Sequence, residues 1–138
     1  MLRRRWSKPL RFKSGSDGTR RPYLWVTVQG LNGREIEIQG LVDSGADKSV
    51  LPREYAPLLG YTQANLKLEE IDQVEGVAKG EDAQVSCTAY VRGRPEPTFA
   101  IQPLFVDTLD ALWGRGDLMR AYAVTISERD GHLRLRRH

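Results

Sequence analysis

Asp43, within Leu41-Val42-Asp43-Ser44-Gly45-Ala46-Asp47, is the residue of this 138-residue chain best placed to do chemistry. Two apolar residues, reading as the end of a buried strand, run into a carboxylate, a small hydroxyl residue and a glycine. Gly45 permits a sharp turn that a side chain would obstruct. A carboxylate where a buried strand opens into a loop is costly unless it is paired, hydrogen-bonded or used. For Asp-Ser-Gly alone, the simplest reading is a turn aspartate bonding to its own loop. A second loop, Leu112-Trp113-Gly114-Arg115-Gly116-Asp117-Leu118-Met119, echoes the first and suggests two related strand-and-loop units.

The elements that must position these loops read mainly as β-strands at short spacing. Tyr23 to Val28 is rich in aromatic and β-branched residues. Asn32-Gly33 signals a type I′ hairpin. Arg34 to Gln39 alternates charged and apolar residues and leads into Asp43. Ser49 to Leu51 is a short strand. Pro52 to Leu59 reads as a brief helix that Gly60 closes. Leu66 to Val74 and Ala83 to Val91 read as long strands, with Glu75 to Glu81 as a mobile tip carrying two glycines. Pro95 and Pro97 mark a turn, and Thr98 to Val106 a strand with an edge or bulge at Pro103. A short helix over Asp117 to Tyr122 and a hairpin turning at Asp130-Gly131 complete the chain.

The length suggests one domain that buries a core without disulfides. The single cysteine, Cys87, reads as a small buried apolar residue. No stretch approaches the roughly 18 apolar residues of a membrane span, and the N-terminus lacks the apolar run of a signal peptide. A cytoplasmic protein is expected. The net charge of +3 is unevenly spread. Residues 1–21 carry eight Lys/Arg and one acid, net +7, while the remainder carries thirteen basic and seventeen acidic residues, net −4. Residues 1–21 are expected to form a flexible basic arm, with Trp6 and Phe12 as a sign that part of it docks on something, and residues 22–138 the folded domain. Weak contact of the arm with nucleic acid is a minor expectation.

The ordered set of Asn32-Gly33, the motif from Leu41 to Leu51, the glycine-bearing segment Glu75 to Glu81 and the motif from Leu112 to Met119 resembles the retropepsin-like aspartic proteases. The resemblance runs from about Tyr23 to the C-terminus. It implies an all-β acid-protease half-barrel with one or two short helices and a flap hairpin. It also implies one catalytic aspartate per chain, Asp43, and hence a two-fold homodimer that brings Asp43 to its copy. Two neighbouring carboxylates share a proton. Such a pair hydrolyses peptide bonds with an activated water and needs no cofactor or metal.

The resemblance further implies roles for single residues. Ser44 braces the two loops across the dimer, and Gly45 and Ala46 support the active-site loop. Asp47, Val77 and Ala78 contact substrate. Leu41, Val50 and Trp113 are further lining candidates, with a place in the core as the alternative for Trp113. Asp47 and Arg115 form a buried structural ion pair. Ala46 brings no hydroxyl to lower the carboxylate pKa, which favours activity nearer neutral pH than pepsin's. The viral pattern has no counterpart of Gly116, which leaves the register of the second motif open by one residue. The alternative is a binding or assembly module that keeps the fold without efficient hydrolysis.

Overall fold

A computed structural model describes residues 5–62, 66–73, 76–83 and 86–138, with the side chains of 67–85 outside the description. The strands are β1 (Leu10–Arg11), β2 (Lys13–Ser14), β3 (Arg20–Arg21), β4 (Tyr23–Gln29), β5 (Glu35–Val42), β6 (Val50–Pro52), β7 (Leu66–Gln73), β8 (Gly76–Ala83), β9 (Cys87–Val91), β10 (Arg94–Ile101), β11 (Leu104–Val106), β12 (Ala111–Trp113), β13 (Tyr122–Ser127) and β14 (His132–Arg137). Two short helices, α1 (Tyr55–Leu58) and α2 (Leu118–Ala121), interrupt them. Nine strands form one sheet in the order β10-β9-β4-β5-β12-β6-β11-β8-β7. A second sheet has the order β1-β14-β13, and β2 pairs with β3.

Strand β4 lies inside the large sheet, between β5 and β9, and buries Tyr23, Leu24, Val26 and Val28. Its near-continuous apolar run is what a strand covered on both faces requires. Asn32 (φ 56°) and Gly33 (φ 74°) both take the left-handed conformation expected of them. They do so within a 3-10 turn, Leu31–Gly33, rather than a two-residue turn. Gln29 pairs with Glu35 across it, and the Gly30 N–H bonds the Arg34 carbonyl at 2.7 Å.

Several expected boundaries move. Pro52 belongs to β6, so α1 is confined to Tyr55–Leu58, with Gly60 (φ 86°) just beyond. The turn placed at Pro95 and Pro97 lies instead at Arg92-Gly93, where Gly93 has φ 78°. Both prolines sit in β10, an edge strand whose register shifts between Arg94 and Phe99. That is where a residue without an N–H can stay in a sheet. Thr98 to Val106 divides into β10 and β11 on either side of Gln102-Pro103. Of the segment Glu75 to Glu81, expected as a hairpin tip, Glu75 lies outside the described residues and Gly76 to Glu81 is strand: β8 begins at Gly76, which pairs with Gln73.

From Ser7 to Phe12 the arm lies along the C-terminal hairpin. Leu10 and Arg11 pair with Leu133 and His132. Ser7 is buried; its N–H bonds the Leu135 carbonyl at 2.7 Å and its Oγ accepts the Leu135 N–H at 3.0 Å. Phe12 is buried too. Further along, Asp17 organises the β2–β3 hairpin by accepting from the Thr19 N–H at 2.9 Å and from both Arg21 Nη atoms at 3.0 and 2.8 Å. The Arg21 bond, with that backbone bond second, pulls the Asp17 carboxyl down to about 2. A depressed carboxylate favours the folded hairpin above its unfolded pKa of about 3.9, and that contribution fades as pH falls toward 2. Carboxyl NMR titration is expected to give Asp17 a midpoint near 2 and, in Arg21→Ala, a value closer to an ordinary aspartate. An unchanged midpoint in the variant would refute the ion-pair cause.

Among the described residues no helix is long and apolar enough to cross a membrane. Cys87 is buried, and its Sγ lies 2.7 Å from the Tyr61 hydroxyl. Burial pushes both groups' pKa values up.

Candidate active site

Asp43 follows β5 directly. Strand β12 lies parallel to β5, with Leu112 beside Leu41 and Trp113 beside Val42. The echo between the two motifs is therefore a physical pairing: equivalent residues sit side by side and their loops leave the sheet together. Strand β6 returns on the other side of β12, with Val50 opposite Leu112. The chain thus runs out of β5, through the Asp43 loop, and back past β12.

The loop is fixed mostly by backbone bonds. The Asp43 N–H donates to the Trp113 carbonyl at 3.1 Å, and the Ala46 N–H to the Asp43 carbonyl at 3.3 Å. The Gly45 N–H donates to Asp43 Oδ1 at 2.8 Å. This is the local Asx-type bond anticipated for a turn aspartate, and it leaves Oδ2 for other partners. Asp43 is half-buried, while Ser44, Gly45 and Asp47 are exposed.

The second loop is clamped to the first by three consecutive N–H groups. Gly114 donates to Ser49 Oγ at 3.1 Å. Arg115 donates to the Ala46 carbonyl at 2.8 Å and Gly116 to the Asp47 carbonyl at 2.9 Å. A Cβ on Gly114 would stand 2.5 Å from the Lys48 carbonyl, and one on Gly116 2.8 Å from the Asp47 carbonyl oxygen. Both glycines are needed for this approach. The extra glycine in the second motif is thus part of the clamp, with Arg115 facing Asp47.

Arg115 and Asp47 form the expected ion pair. It is not buried in the single chain: the two side chains are 59% and 80% exposed. An exposed pair of this kind contributes about 0–1 kcal/mol. Trp113, a lining candidate, is instead core. It is 1% exposed, and its Nε1 donates to the Leu24 carbonyl at 2.9 Å. Its ring lies against Gly40, where a Cβ would come within 2.6 Å of Nε1. Leu41 and Val50 are half-buried beside the loop. Val77 and Ala78 lie on β8, paired with Asp72 and Ile71; their side chains are outside the described residues.

Ser49 was not singled out by its sequence. It is fully buried, and its hydroxyl receives the Gly114 N–H while its carbonyl accepts from Leu104 at 2.9 Å. Its only local signal is a hydroxyl residue at the start of an apolar strand. Its partner lies 65 residues away. Among the described residues no group of three or more His, Cys, Asp or Glu is arranged to hold a metal ion.

Comparison with known proteins follows the same geometry. The family model for retroviral aspartyl protease matches residues 18–127. Among solved structures, the chain is similar to a retropepsin-like aspartic protease from Rickettsia conorii, with 19% identity and a TM-score of 0.61. That match covers 99% of this chain and 97% of the other. A search of curated proteins finds no match. At that identity the structural likeness speaks for the fold, a mainly β retropepsin-like half-barrel with two short helices. The family model spans most of the chain, both loops included, and so the chain belongs to the retroviral aspartyl protease family.

Proposed function

We propose that this protein is an aspartic endopeptidase whose active site forms when two copies associate and bring Asp43 beside its symmetry mate. The observation that carries the reading is the loop itself. Asp43 is held by its backbone and by one carboxylate oxygen, at the mouth of two clamped loops, with exposed Ser44 and Gly45 at the rim. One chain supplies one such Asp-Ser-Gly, and the chemistry needs two carboxylates in different protonation states.

In the dimer the two carboxylates share one proton. The ionised member takes a proton from a bound water as that water attacks the peptide carbonyl. The protonated member donates a hydrogen bond to the carbonyl oxygen as charge develops there. Collapse of the tetrahedral intermediate breaks the C–N bond and returns a proton to the amine. Ser44 braces the paired loops, while Gly45 and Ala46 shape their floor. Asp47, oriented by Arg115, contacts the substrate backbone. The β7–β8 hairpin acts as the flap and brings Val77 and Ala78 over the peptide. An extended peptide gains strand-like backbone bonds plus side-chain pockets.

The test is peptide hydrolysis across protein concentration and pH 3–8. Specific activity is expected to rise with protein concentration and level off as the dimer fills. Concentration-independent activity from a species that sediments as a monomer would reject the dimeric site. A stable fold with no hydrolysis at any concentration would favour a binding or assembly module.

A further inference from the structure

We propose that the outer face of the β1–β14–β13 sheet binds single-stranded nucleic acid, a role separate from peptide hydrolysis. Strand β14 alternates: Leu133 and Leu135 are fully buried, while Arg134 and Arg136 are exposed on the opposite face. Directly opposite residues of an antiparallel pair share a face. The register therefore sets Thr125 beside Arg134 and Ala123 beside Arg136 on β13. On the other side, the docked arm adds exposed Arg11, which pairs with His132. The arm also places Trp6 against Arg136, whose guanidinium carbon is 4.7 Å from the ring centroid.

The segments that build this sheet, residues 5–14, 122–127 and 132–138, contain seven Lys/Arg and no Asp or Glu. The register sets Arg11, Arg134 and Arg136 on the outer face, whereas Arg137 lies on the other face against Tyr122 and Lys13 lies over Trp25. The acids of the hairpin itself, Glu128 and Asp130, are confined to the β13–β14 turn, where Asp130 is tied to Ser127. Among the described residues, Arg11, Arg134 and Arg136 make no ion pair. The rest of the protein carries net negative charge, so this face is a local feature that folding creates by docking the arm on the C-terminal hairpin. It is suited to a polyanion.

The aromatic residue decides which polyanion. Cationic strands with an exposed stacking ring suit single-stranded nucleic acid, whose phosphates follow the charges while bases stack. Trp6 is 36% exposed and already carries an arginine against its ring. Arg134 and Arg136 are about 6.8 Å apart along the strand, a spacing that lets them serve successive phosphates. An anionic membrane would favour apolar side chains to insert beside the charges. The outward positions of β13 are instead Ala123, Thr125 and Ser127.

The test uses the full chain and a fluorescein-labelled 20-nucleotide oligouridine, read by anisotropy at 25–300 mM salt. Affinity is expected to fall steeply with salt. Arg134→Ala/Arg136→Ala should weaken binding at least tenfold at low salt and flatten the log–log salt slope by about 1.4, or about 0.7 per lost phosphate contact. Trp6→Ala should weaken it severalfold and remove the tryptophan quenching that stacking produces. A charge-matched control, Arg20→Ala/Arg94→Ala, should change affinity less than about threefold, as its positions lie off this face. Circular dichroism verifies that each variant is folded. Equal loss in the control and the Arg134/Arg136 variant would overturn the proposal. So would unchanged binding in that variant, or sedimentation with phosphatidylserine vesicles without oligouridine binding.

Discussion

Replacing Asp43 with Asn is expected to reduce peptide hydrolysis by at least about 10²–10⁴-fold, the range associated with loss of a positioned acid–base group. The fold should be almost unaffected. Asn is nearly isosteric, and its amide oxygen can still accept the Gly45 N–H now bound to Asp43 Oδ1. The loop's other restraints are backbone bonds to Trp113 and Ala46, which the substitution leaves in place. What is lost is the ability to carry and exchange a proton. Substrate binding by the backbone should persist, so kcat should fall far more than KM rises. Unchanged kcat in a folded variant would show that any hydrolysis arises elsewhere. A large loss of thermal stability would show that Asp43 is chiefly structural.

Trp113→Ala should be the most destabilising single truncation near the site. The side chain is almost completely buried, and its ring fills the space above Gly40. Deleting a buried tryptophan typically costs about 3–5 kcal/mol. Losing the Nε1 bond to Leu24 adds about 1 kcal/mol, because that carbonyl is left without its partner. For a domain of this size the melting temperature should fall by at least about 10 °C. Activity should fall too, because the Trp113 carbonyl holds the Asp43 N–H. Trp113→Phe keeps much of the volume and should lose less. Trp6→Ala, on the surface, should shift stability by under about 1 kcal/mol. A Trp113→Ala penalty below about 1 kcal/mol would show that the two loops do not depend on this residue.

The two loops could be read in the sequence because their chemistry is local. An apolar pair, a carboxylate and a glycine within five residues leave few backbone options, and β5 ends at Val42 as that apolar pair suggests. The hairpin at Asn32-Gly33 and the one at Asp130-Gly131 were legible for the same reason, since each demands positive φ at a named residue. The pairing of Leu41 with Leu112 was legible only as an echo, because register depends on residues about seventy positions apart.

Features set by long-range packing were not legible. The basic arm looks flexible because it lacks periodicity. Its rings, Trp6 and Phe12, are the one sign of docking, while the backbone bonds from Ser7 leave no pattern. Pro95 and Pro97 suggest a turn, yet an edge strand with a register shift tolerates both. Gly76 to Glu81 lacks bulky apolar residues and resembles a tip, but pairing with β7 along its length, joined by β11 at Glu81, makes it strand. Trp113 could have lined a cleft or filled the core. Only the position of Leu24 and Gly40 beneath it decides for the core. The exposed Asp47–Arg115 pair differs from the buried pair expected because loop 46–48 lies at the rim of a single chain.

A mixing experiment tests most directly whether two copies share one site. Wild-type protein at fixed concentration is incubated with increasing Asp43→Asn protein until subunits have exchanged, and peptide hydrolysis is measured. If each site needs Asp43 from both partners, random pairing with a ninefold excess of variant should leave about one-tenth of the original activity. Activity that stays constant across the whole titration, with exchange verified by labelled subunits, would mean that a single chain carries a complete site.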